Sequence, residues 1–127
     1  MDVTPLIRAG QQVIQSYAAG AFRISGISFD TPVLVSPDKT VEWKGAGSFD
    51  DLTLDSFQQM IEGADDIDVV LLGAGSTMKF FNPDLKAQLS AKGLPIDVMD
   101  TGAACRTYNV LMAEGRRVVA ALLPTEN

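Results

Sequence analysis

Two uninterrupted apolar runs, "DVVLLGAG" (68–75) and "RRVVAALLP" (116–124), constrain this chain more than any other feature. Neither alternates polar with apolar positions, so neither suits a sheet with one face in water. Each reads as a strand buried on both faces, a state found where helices cover a largely parallel sheet. The segments between them have helical period. "NPDLKAQLSAKG" offers Asn82 as cap, Pro83 in the first turn, Leu85 and Leu89 on one face, and Gly93 as stop. "PIDVMD" is a short strand, and "TGAACRTYNVLMAEG" is a helix with Ala104, Tyr108 and Leu111 in register, ending at Gly115. Upstream, "LTLDSFQQMIEG" is a helix capped by Thr53, with Phe57, Met60 and Ile61 on one side. Strand, helix, strand, helix, strand joined by right-handed crossovers makes an α/β sheet with helices packed on it.

The opening of the chain has a different texture. "QVIQSY", "AFRIS", "ISF", "PVLVS" and "TVEW" are short β-type runs separated by Gly20, Gly26, Asp30, Pro32 and the "SPDKT" turn. They predict antiparallel hairpins. The 127 residues are expected to form a single domain, with a β-rich part over 1–50 and an alternating helix/strand part over 51–127.

Composition narrows the chemistry. There is no histidine, which excludes His-based triads, His general bases and His metal ligands. Sixteen acids against ten bases give a net charge of −6, and the only adjacent basic pair is Arg116-Arg117. Nucleic acid and anionic membrane are therefore poor partners. No apolar run approaches the length that spans a bilayer. "MDVTPLIRAG" has no basic segment leading into an apolar one, so no secretory signal is expected. A single cysteine cannot form an internal disulfide and suits a reducing compartment, so the expected location is the cytoplasm.

Two motifs merit weighing as sites. "GAGST" (73–77) follows a buried strand, where a phosphate loop would lie, but Met78 occupies the place of a third glycine. It ends without Gly-Lys-Ser/Thr, and Ser76 lacks the flanking glycines of a nucleophile elbow. Gly73 and Gly75 then serve either a strand exit and close backbone approach, or a rim that touches a ligand or partner. In "DTGAACR" (100–106), Asp100 or Thr101 caps a helix whose first N–H groups are candidates to hold an anion. Cys105 is either a packed small apolar residue or a thiolate favoured by the helix dipole and Arg106. Arg106 either pairs with Asp100 or recognises an acidic group. The candidate site is thus Gly73, Gly75, Ser76, Asp100, Thr101, Cys105 and Arg106, in a cleft between the loop and the helix start. Trp43, Phe49, Phe80 and Phe81 lie in or beside loops, and any that share an exposed patch would mark a protein interface.

The block "DVVLLGAGSTMKFFNPDLKAQLSAKGLPIDVMDTGAACRTYNVLMAEGRRVVAALLP" carries a resemblance. With its G-x-G strand end, its "MDT", "AACRTYN" and "EGRRV" segments, and "FRISG" before it, the chain resembles a bacterial member of a small conserved-domain family. That family includes mitochondrial complex I assembly factor 3 and the adipogenesis-associated domain protein. The resemblance implies a three-layer α/β fold, with a mixed central sheet, helices packed on it and an N-terminal β-hairpin layer. It marks Gly73, Gly75, Phe81, Pro83, Asp100, Thr101, Cys105, Arg106, Tyr108 and Asn109. The function it implies is a non-enzymatic protein-interaction or assembly-factor domain linked to respiratory complex I biogenesis. Such a domain has a protein partner, needs no cofactor and is compatible with homo-oligomers. The contrasting reading is a small-molecule or anion-binding domain or enzyme that uses the cleft.

Overall fold

The computed structural model describes residues 9–125, so most of the N-terminal stretch read for a signal lies outside the described residues. The opening runs form β1 (Ile14–Ala18), β2 (Ala21–Ile24) and β3 (Ile27–Phe29), an antiparallel meander. Its two tight turns place Ala19-Gly20 and Ser25-Gly26 at positive φ, between 47° and 86°. That is the geometry of two-residue hairpins whose twist matches the strands, and it explains the glycine at the second position of each.

A second sheet contains β4 (Val33–Val35), β5 (Thr40–Glu42), β6 (Val69–Gly73), β7 (Ile96–Met99) and β8 (Val118–Leu122), in the order β5-β4-β8-β6-β7. The strands β6, β7 and β8 are parallel, and β4 runs antiparallel to both β8 and β5. The β-rich opening is therefore divided. Its first three strands form a separate layer, whereas the β4–β5 hairpin belongs to the same sheet as the alternating half. The reason lies in β4: Val33, Leu34 and Val35 are all buried, and a strand apolar on both faces needs cover on both.

Alternate residues of the central strands feed two cores. Leu34, Val70, Leu72, Val119 and Ala121 face one side. There they meet Trp43, Phe57, α1 (Gln58–Ile61) and the Leu85 and Leu89 face of α2 (Pro83–Ala91). Thr53 caps the single-turn helix that precedes α1, reciprocally with Ser56. Val35, Leu71, Val118, Ala120 and Leu122 face the other side. They pack against α3 (Thr101–Ala113) and against Ile14, Phe22 and Ile24 of the meander. The result is three layers around a mixed sheet.

The inner face of α3 differs by one position from the sequence reading. Ala104, Cys105, Tyr108 and Met112 are buried, while Leu111 is half-buried. Residues 104, 108 and 112 share one side of a helix, and Leu111 falls on its flank. Among the described residues no helix is long and apolar enough to cross a membrane.

Candidate functional site

The loop after β6 and the start of α3 meet at the carboxyl ends of the parallel strands, where ligands of open α/β sheets bind. Here the two segments are in direct contact. The Thr101 N–H donates to the Gly75 carbonyl at 2.8 Å, and the Gly75 N–H donates to Thr101 Oγ1 at 2.9 Å. Thr101 Oγ1 in turn donates to the Leu123 carbonyl at 2.6 Å, and Leu123 N–H reaches the Gly73 carbonyl at 3.0 Å. A Cβ at Gly73 would stand 2.9 Å from Thr101 Oγ1 and 3.0 Å from its Cα, so only glycine permits this approach. Gly75, at φ +105°, turns the chain out of the strand. The glycines thus join strand to helix, and Thr101 is a buried three-way connector.

Asp100 caps α3 by accepting from the Ala103 N–H at 2.9 Å. Gly102 lies under the Tyr17 ring; a Cβ there would come within 2.9–3.0 Å of it. The expected Asp100–Arg106 ion pair does not form. Arg106 instead donates through Nη1 to the Tyr17 hydroxyl at 2.6 Å, and its side chain lies on the surface. Helix geometry explains the difference: Asp100 is turned inward across the first turn, and a residue six positions on lies on another face. The loop, the cap and Arg106 therefore come together around one helix start, with Tyr17 as a member that sequence reasoning missed. Ser76 is exposed at the mouth of a hollow of about 260 Å³ shared with Ser48, Thr77 and Lys79, but none of residues 100–106 lines it.

Cys105 is 2 % exposed, and burial pushes its thiol up to about 12 despite the Arg106 charge beside it. A thiol so protonated is a poor nucleophile, and the residue packs as a small hydrophobe. Tyr108 is wholly buried and donates to the Gln12 carbonyl at 2.8 Å; burial pushes its hydroxyl pKa well above the usual tyrosine range. Asn109 accepts from Ile14 N–H and donates to Ile14 C=O, at 3.0 and 2.9 Å, so its amide stands where a neighbouring strand would.

The aromatic residues separate cleanly. Trp43, Phe49 and Phe81 are buried in one core, where Phe49 and Phe57 meet Phe81 edge-on at 5.9 and 6.2 Å. Phe80 alone points out, 84 % exposed, with Met78 at 69 % two residues before it. A wider groove of about 860 Å³ opens at the other end of the sheet. Its rim mixes Lys39, Lys44 and Arg116 with Asp38, Glu62 and Asp66. Among the described residues no cluster of acidic or thiol side chains could hold a metal ion.

Comparison with known proteins follows the same outline. An uncharacterised protein of Rhodobacter capsulatus is 37% identical over 116 residues, 91% of this chain and 87% of its own. The mouse NADH dehydrogenase [ubiquinone] 1 alpha subcomplex assembly factor 3 is 33% identical over 111 residues, 87% of this chain and 60% of its own length. This chain thus spans about three fifths of the assembly factors it matches. A crystal structure from Bordetella parapertussis superposes with a TM-score of 0.81 at 34% identity, covering 91% of this chain and 98% of that one. A Bordetella pertussis protein described as a Mth938-like domain gives 0.80 at 28% identity, covering 98% and 92%. The model of the family described as "Protein of unknown function (DUF498/DUF598)" matches residues 14–123. On that match, which takes in both sheets and all three helices, the chain belongs to the DUF498/DUF598 family.

Proposed function

We propose that this domain is a non-enzymatic, assembly-factor-like module that binds a protein partner through the loop after β6 and supports the biogenesis of respiratory complex I. One observation carries the reading: Phe80 and Met78 stand in water on a loop whose ends are fixed. Ala74 and Phe81 are buried on either side of the exposed tip, and Asn82 caps α2 immediately after it. A large apolar side chain held outward in this way gains about 1.5–3 kcal/mol when a partner covers it. Aromatic anchors of this kind dominate protein interfaces. The names of the assembly-factor relatives supply the cellular process. The buried, protonated Cys105 is a poor nucleophile, and the loop and helix start hold each other by direct hydrogen bonds. The module works in the cytoplasm, against the aqueous face of a membrane-bound complex.

The test is mild crosslinking and affinity capture from the native cell, comparing the wild type with Phe80→Ser and Arg106→Ala, each checked for folding by thermal melt. Recovery of respiratory complex subunits with the wild type, lost in folded Phe80→Ser, is the expected result. Wild-type samples that repeatedly yield no partner would overturn the proposal. Loss in Arg106→Ala alone would move the contact surface to the start of α3.

A further inference from the structure

The edges of the two sheets are not treated alike. At β1, the Asn109 amide occupies the ladder positions beside Ile14. Beyond β5, the Gln59 amide donates to the Glu42 carbonyl at 3.2 Å and accepts from Lys44 N–H at 3.0 Å. Strand β7 carries an exposed carboxylate, Asp97, in its middle, a common deterrent to pairing of like edges. Strand β3 has none of these devices among the described residues. Its register with β2 pairs Ile24 with Ile27 and Phe22 with Phe29. A two-residue turn makes the first of these a hydrogen-bonded pair, so Ser28 directs its N–H and C=O away from β2.

The side chains make the same edge unfinished. Cross-strand partners share a face, so Ile27 and Phe29 lie on the face that carries Ile24 and Phe22. Ile24 and Phe22 are each 1 % exposed, but Ile27 is 62 % exposed and Phe29 only half-buried. The apolar face of the meander therefore runs past the core that covers it and ends on a strand with no further neighbour among the described residues.

We propose that β3 pairs with β3 of a second copy of this chain, antiparallel about a twofold axis at Ser28, to give a six-stranded sheet across the dimer. The sequence of the edge is self-complementary in that register. Ser28 faces Ser28 of the second copy, with two hydrogen bonds between them, and Ile27 faces Phe29 on the shared apolar face in both directions. Asp30 falls opposite Gly26 rather than its own copy, so two chains of net charge −6 meet there without facing carboxylates. An edge of three residues buries less than a stable dimer needs, so the association is weak and reversible.

Sedimentation velocity between about 20 µM and about 1 mM tests this, a range suited to an interface of that size. The wild type is expected to shift toward the dimer mass with concentration. Ser28→Pro removes the outward N–H while sparing the bonds to β2, as edge strands permit. Ile27→Lys places a charge in the apolar pair without touching the backbone. Each is expected to raise the dissociation constant at least about tenfold with the thermal melt of the monomer retained, and Ile27→Lys decides the matter if Ser28→Pro does not fold. A wild type that stays monomeric at the highest concentration, or a dimer that persists in folded Ile27→Lys, overturns the proposal. Neither result bears on the Phe80 loop, which lies on a different element.

Discussion

At the scale of single residues, burial rather than charge sets the chemistry of Cys105. Arg106 adjoins it in sequence, yet the guanidinium points to Tyr17 in water while the thiol points into the core. With a pKa of about 12, only about one thiol in 10⁴ is ionised at pH 8. Ellman's reagent is therefore expected to react with the unfolded protein and not with the native one over minutes. The same burial has a consequence for stability. Cys105 and Tyr108 both have native pKa values raised above their unfolded ones. Above about pH 9 the unfolded chain gives up protons that the native state keeps. Stability should then fall with rising pH, by up to about 1.4 kcal/mol per unit for each group. Urea titrations from pH 7 to pH 10.5 measure the slope, and Cys105→Ala should remove the part that begins nearest pH 9. Arg106→Ala loses one surface hydrogen bond and is expected to cost less than about 1 kcal/mol.

At the scale of elements, the junction of β6, α3 and β8 is the sensitive point. Thr101→Val keeps the shape of the side chain but strands the Gly75 N–H and the Leu123 carbonyl in a buried place. The expected loss is about 2–4 kcal/mol, read as a lower urea midpoint with unchanged slope. Gly73→Ala meets the backbone and hydroxyl of Thr101 as well as the end of the Leu122 side chain, and should cost roughly 1–3 kcal/mol by the same measurement. At Gly102 the nearest atoms to the new methyl group are outer atoms of the Tyr17 ring, a side chain that can swing aside. Gly102→Ala should therefore be milder than Gly73→Ala, although both glycines sit at the same site. That ordering separates a glycine required by backbone contact from one required by a side chain.

For the molecule as a whole, the exposed tip of the loop proposed to bind a partner lies apart from the cores that stabilise the fold. The two cores flank the central sheet, whereas Phe80 is a buried member of neither and stands outward. Phe80→Ser should leave the thermal melt within the usual range for surface changes, about 0.5 kcal/mol, while reducing partner capture. A large fall in stability with Phe80→Ser would show that the loop supports the fold and would remove the reason for assigning it to an interface.

The sequence by itself determined what depends on local pattern. Doubly buried β6 and β8 were legible in unbroken apolar runs, α2 in its Asn82-Pro83 start, and the meander in its glycine-punctuated runs, because these features act within a few residues. The core position of Tyr108 followed from its helical spacing with Ala104, whereas the protonated state of Cys105 was settled only by its burial in the fold. Tertiary structure alone decided the rest. It sent β4 and β5 to the central sheet, gave Arg106 the hydroxyl of Tyr17, and turned Phe80 outward while burying Phe81. The Arg106–Tyr17 contact joins residues 89 positions apart, and the division of two adjacent phenylalanines depends on what stands opposite each. Periodicity reports which face of an element is apolar; only packing determines which element covers it.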